Sequence, residues 1–181
     1  MSSAAPGDLE LLRQFVNTID PDEHTDALDT PERLGSWLVD RGLLTTGTQL
    51  APEEHTRVLG FRESVRELAM GNSGSGPDPQ VIALFNELAG PTRLVMHLSA
   101  EGSAELVAEG SGLDRALGRL LASIYVAMTD GSWPRLKACS NDSCRWLYFD
   151  HSKNHSKKWC TMESCGNAIN ARAYRERRRE Q

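Results

Sequence analysis

Residues 139–165 read CSNDSCRWLYFDHSKNHSKKWCTMESC. All four cysteines of the chain fall within these 27 residues, as Cys139-x4-Cys144 and Cys160-x4-Cys165 with fifteen residues between the pairs. Zinc favours tetrahedral thiolate ligands, and a structural site is closed by four protein ligands. Two ligand pairs, each inside a turn-sized loop, let a short segment without a sizeable core draw folding free energy from a metal. The spacing therefore predicts one structural Zn2+ held by Cys139, Cys144, Cys160 and Cys165, with a disulfide pair or free thiols as the competing readings. His151 and His155 lie between the pairs, but four thiolates already complete the shell.

Between the pairs, Trp146–Asp150 has strand composition. Ser152–Lys158 follows as a polar loop carrying Lys153, Lys157 and Lys158. Thr161 suits the N-cap of a helix from Met162 to about Glu180, with Cys165 in its first turn. That helix carries Arg172, Arg175, Arg177, Arg178 and Arg179, of which Arg172, Arg175 and Arg179 share a face. Asn167 is expected to bond a ligand sulfur or cap the helix start rather than read bases.

Upstream, Asp130-Gly131-Ser132-Trp133-Pro134 marks a boundary between a body over 1–132 and a finger over 133–181. From Pro134 onward there are eleven Lys and Arg against five Asp and Glu, whereas the first 133 residues carry nine Arg and twenty acids. An acidic body with a basic arm suggests a polyanion partner, or two halves that neutralise each other.

The body reads as mainly helical. Helical apolar spacing covers 8–19 (Asp8 as N-cap), a helix capped by Thr30 that stops at Gly42, 52–70 and 78–90. Alternation over 92–99 and 104–110 around Glu101-Gly102 predicts a β-hairpin, and helical spacing returns over 113–128. The expected fold is thus mainly α with a small β-hairpin, an α+β body, plus a C-terminal four-cysteine zinc finger ending in a basic helix. The body has its own stripes and caps and is expected to fold alone.

No apolar run approaches the ~20 residues of a membrane span. The N-terminus lacks the basic-then-apolar pattern of a signal peptide, so a cytoplasmic protein is expected. His24, His55 and His97 are scattered, and no nucleophile elbow, phosphate-cradling loop or His-Glu-x-x-His occurs, so no enzymatic activity is expected.

Residues 135–178 resemble the bacterial CGNR zinc finger. The matching text is Cys144-Arg145-Trp146-Leu147-Tyr148-Phe149-Asp150, Ser152-Lys153-Asn154, Lys157-Lys158-Trp159-Cys160 and Cys165-Gly166-Asn167. The preceding residues are similar to the ABATE domain, through Phe15-Val16-Asn17-Thr18-Ile19-Asp20, Leu34-Gly35-Ser36-Trp37-Leu38 and Phe61-Arg62-Glu63-Ser64-Val65-Arg66. The resemblance implies a stress-linked bacterial transcription regulator whose finger binds DNA. One departure is that the family's Arg after Cys-Gly-Asn is Ala168 here, and an often basic position two residues on is Asn170.

The leading functional expectation is a DNA-binding regulator in which Arg145, Lys153, Lys157, Lys158, Arg172, Arg175, Arg178 and Arg179 meet nucleic acid. RNA is the alternative polyanion. The rival is a protein-interaction or small-effector-sensing protein, its body holding the effector and its finger purely structural. Oligomeric state is not legible.

Overall fold

The computed structural model describes residues 4–179. Six α-helices and three two-stranded antiparallel sheets are arranged among them. The first helix, α1, covers Leu9–Val16. It ends three residues before the apolar stripe does, because Ile19 joins a short ladder of β1 (Ile19–Asp20) with β2 (Thr25–Asp26). Asp8 stands at the N-cap position without a side-chain cap; the Glu10 carboxylate instead accepts from Ala5 N–H at 2.7 Å.

Helix α2 (Pro31–Asp40) is capped as its sequence predicts, Thr30 Oγ1 accepting from Arg33 N–H at 3.3 Å. Gly42 then takes φ +63, and Leu43 N–H returns to the Leu38 carbonyl. Such a left-handed turn is strained for any residue with a Cβ, which is why the helix stops on glycine.

Helix α3 (Pro52–Gly71) runs through the centre, burying Val58, Phe61, Val65 and Leu68. Helix α4 (Pro79–Ala89), capped by Asp78 on Gln80, packs on α3 with Phe85 stacked on Phe61, their ring centroids 5.4 Å apart. Its expected stripe is only half covered, with Ile82 exposed. The hairpin β3 (Leu94–Leu98) and β4 (Ala104–Ala108) then lies against α5 (Gly112–Thr129). That approach needs Gly118, since a Cβ there would stand 2.5 Å from the Ala108 Cβ.

The apolar core crosses the 132/133 boundary. Strands β5 (Leu136–Ala138) and β6 (Leu147–Phe149) form a third ladder, and Leu136, Ala138, Leu147 and Phe149 belong to the same buried cluster as α1, α3 and α5. Full burial of each large side chain here contributes about 1.5–3 kcal/mol.

Polar contacts fix the register of that junction. The Asn17 amide mimics a neighbouring strand: its Nδ2 donates to the Leu147 carbonyl and its Oδ1 accepts from Leu147 N–H, both at 2.8 Å. Asn72 Nδ2 donates to the carbonyls of Trp133 and Leu136, each at 2.9 Å. Arg66, 1% exposed, donates to the Val16 carbonyl at 2.6 Å and to the Arg145 carbonyl at 3.0 Å, with Glu63 holding its Nε. Burial pulls the Arg66 pKa below the ordinary arginine range, and the charge of Glu63 opposes that.

Replacing Asn17 with Ala strands a paired N–H and C=O and is expected to cost about 2–3 kcal/mol in denaturant unfolding. Residues 1–132 expressed alone lose the β5–β6 side of their core. They are expected to melt well below the full chain and to bind an apolar dye that the full chain does not.

Candidate metal centre

Cys139 follows β5 directly, and its N–H donates to the Trp146 carbonyl at 2.9 Å, extending the β5–β6 ladder by one residue pair. A tight turn follows, with the N–H groups of Cys144 and Arg145 both returning to the Asn141 carbonyl. Arg145 takes φ +49, which swings the chain back into β6. The second pair sits on a different device. Thr161 caps a one-turn π-helix over Met162–Gly166, its Oγ1 accepting from Ser164 N–H at 3.3 Å, and this turn leads into α6 (Asn167–Arg179). The sequence places one helix over 162–180; the structure divides it at Gly166, whose missing Cβ leaves room for the Met162 thioether.

These two devices bring all four sulfurs within 4.8 Å of one another, with Cys139, Cys160 and Cys165 buried. Cys160 Sγ lies 3.7 Å from both Cys144 Sγ and Cys165 Sγ. A tetrahedron with Zn–S bonds of ~2.3 Å has S–S edges of about 3.8 Å, so the donor set fits one zinc ion. The crowded thiols share protons: hydrogen bonds from Cys144 and Cys160 pull Cys139 far below the usual thiol range, and the same contacts push Cys144 up. Backbone N–H groups of Cys160 and Asn141 are directed at the Cys139 sulfur, and that of Trp146 at Cys144, which favours thiolates there.

The side-chain amide beside the site is Asn141, whose Nδ2 lies 3.5 Å from Cys165 Sγ. Asn167, the other residue expected near the sulfurs or at the helix start, is exposed as the first residue of α6. The sequence holds a signal for Asn141: it stands two residues past a ligand and before Ser143, and its Oδ1 accepts from the Ser143 hydroxyl at 3.1 Å.

The cationic loop is built on a carboxylate, Asp150, that no sequence motif singles out. Asp150 is fully buried and accepts from Lys137 Nζ at 3.0 Å, Ser152 N–H at 2.9 Å and Lys157 N–H at 3.0 Å. Burial pushes this carboxyl up, but the hydrogen bonds of Ser152, Lys137 and Lys157 outweigh it and hold it at about 2. Lys137 Nζ also donates to the His155 carbonyl, and the Tyr148 hydroxyl to the Lys157 carbonyl at 2.6 Å. The loop is thus gathered around the buried pair.

The predicted contact residues divide into groups. Lys153 and Lys158 are exposed on the loop, while Lys157 is half-buried with its Nζ 4.9 Å from the centroid of the Tyr148 ring. Arg172, Arg175 and Arg178 are exposed along α6, as is Arg177; the Arg179 side chain lies outside the described residues. Arg145 does not join either group. Its guanidinium pairs with Glu67 and lies against the Met70 sulfur, on α3. Its charge faces the junction with the body, apart from the exposed cations of the loop and α6.

Cys165→Ser is expected to release the zinc, as read by metal analysis. Hydrogen exchange should then rise over 151–179, while β5 and β6, held by the core, stay protected. Asp150→Asn leaves the Lys137 ammonium buried without its counter-charge and is expected to cost about 3–5 kcal/mol in chemical denaturation.

Among curated proteins none matches the chain. Residues 135–178 match the family model of the CGNR zinc finger. Residues 9–131 match that of ABATE, described as "Putative stress-induced transcription regulator". The ABATE model covers well over half of the chain and the finger model encloses all four sulfurs, so the chain belongs to the ABATE family and carries a CGNR zinc finger.

Proposed function

We propose that this protein regulates transcription by binding duplex DNA through its zinc finger, with phosphates meeting the 151–158 loop and α6 lying in or across a groove. The observation that carries the reading is how charge is sorted within the finger. The Asp150 carboxylate is taken inside and matched by Lys137, while Lys153, Lys158, Arg172, Arg175, Arg177 and Arg178 remain exposed. Asp142 and Glu163 are the exposed acids among the finger's described side chains. Four thiolates on zinc bring a net −2 to the site, which this excess of cations exceeds. The shell they close leaves no position for substrate or water, so the reading is of a non-enzymatic protein.

A second reading has its own support. The β5–β6 hairpin completes the body's core and Arg145 is paired with Glu67, as befits a finger whose work is to stabilise the body. Ala168 in place of the family's Arg points the same way.

Binding of the zinc-loaded protein to random duplex DNA, duplex RNA and single strands at two salt concentrations separates the readings. DNA binding should weaken with salt, and Lys153→Ala or Lys158→Ala should each reduce the slope by roughly 1 while weakening all sequences alike. Ala168 is exposed on α6, so Ala168→Arg is expected to tighten DNA binding by about 1 kcal/mol. Absence of binding to any nucleic acid by either form leaves the structural reading standing.

A further inference from the structure

Helix α6 changes character along its length. Among residues 167–172, Ile169 is the half-buried one and marks the inner side. Steps of three and four away from it give one outward face of Asn167, Asn170, Ala171, Arg175 and Arg178, all exposed. The start of this face carries two short amides and a methyl, and the far part carries guanidinium groups. No acid occurs among the described side chains of α6; the exposed acid before it, Glu163, sits on the π turn. Neither amide has a hydrogen-bond partner among the described residues, so both are open to a ligand.

The amides also stand at the anchored end of the helix. Asn167 follows Cys165 and Gly166 directly. Cys165 is buried in the sulfur cluster, Gly166 packs against the Met162 thioether, and Thr161 caps the turn that carries both. Base edges demand donors and acceptors at fixed positions, whereas a phosphate accepts a long cation from many directions. Side-chain length sorts the two ends in the same way. An asparagine amide reaches a base edge only where the helix backbone lies close to the groove floor, and the small Ala171 beside the two amides permits that approach. A straight helix then parts from the curving groove, and there Arg175 and Arg178 are long enough to reach phosphates.

We propose that Asn167 and Asn170 read A·T pairs in the major groove, while Arg175 and Arg178 hold the phosphates beside them. This rests on the duplex-DNA reading above and adds a sequence preference to it. Adenine presents an N6 amino donor next to the N7 acceptor, and one asparagine amide matches both: its Oδ1 accepts from N6 and its Nδ2 donates to N7. Guanine presents acceptors at both positions, which sets its O6 against the amide oxygen. The Ala171 methyl fits beside the C5-methyl of thymine, a contact that neither guanine nor cytosine offers.

Selection of a random duplex DNA pool on the full zinc-loaded chain tests this, followed by anisotropy titrations of the selected duplex. Enrichment of A·T over G·C is expected at one or two positions, where exchange to G·C should weaken binding at least ~5-fold. Replacing adenine there by 7-deazaadenine, which keeps its base pair and lacks the N7 acceptor, should also weaken binding. Asn167→Ala and Asn170→Ala alter exposed side chains, so zinc content should persist and the salt slope stay unchanged while the A·T preference shrinks. Arg175→Ala should do the reverse, lowering the salt slope by roughly 1 and leaving the preference intact. Failure to bind any duplex overturns the duplex-DNA reading and this inference together. Binding without an A·T preference, or a preference that survives both asparagine substitutions in one chain, overturns this inference alone.

Discussion

One guanidinium ties the two family segments together. Arg66 leaves the middle of α3 fully buried and spans from the Val16 carbonyl, at the end of α1, to the Arg145 carbonyl, at the end of the first cysteine turn. Each of those carbonyls ends a segment with no regular partner, and an unpaired buried carbonyl is costly. A planar cation with several donors in fixed directions satisfies both while Glu63 balances its charge, which a flexible lysine does poorly. Asn17 and the Arg145–Glu67 pair then close the same seam from either side. The Phe61–Arg66 stretch, recognisable as a family motif, thus has a mechanical reason: Phe61 and Val65 supply the body's core, and Arg62 and Arg66 its buried polar ties.

A similar logic governs the far side of the zinc. A polar loop of eight residues cannot hold a shape by apolar packing. Here it is wound about a carboxylate that receives two of its backbone N–H groups, and the carboxylate is neutralised from beneath by a lysine on β5. The cations that remain outside are held at set positions at lower cost in side-chain and backbone entropy than a free loop would incur on meeting phosphates. This favours the finger as a polyanion surface without requiring it.

What the sequence makes legible follows the range of each interaction. Cysteine spacing, the Thr30 and Thr161 caps, the Gly42 stop and the hairpin around Gly102 are local, and the structure has each of them. The strand at Leu136–Ala138 has no local signature, since three residues with a lysine in the middle carry no periodicity, and that lysine is buried only because Asp150 lies opposite. Arg145 reads as part of a cationic arm when charge is summed along the chain; its partner Glu67 lies 78 residues away. Asn167 adjoins a ligand in sequence, but the π turn points the chain onward, and Asn141 reaches the sulfur from the opposite turn. Ile82 and Met128 lie on apolar stripes yet are exposed, because periodicity identifies an apolar face and not what covers it.

The two halves of the metal site rest on unequal foundations. Cys139 and Cys144 border a hairpin anchored in the body's core, whereas Cys160 and Cys165 are carried by a loop, a single π turn and a polar helix. A metal-free chain is therefore expected to retain a prebuilt chelating pair, with capture landing on that pair before the outer one closes. On that order the search of one short segment, rather than of the whole finger, would limit loading, and exchange of the ion would open the outer pair first. The finger is accordingly no portable cassette: cut from its host, it would lose the half of its nest that waits ready for the ion.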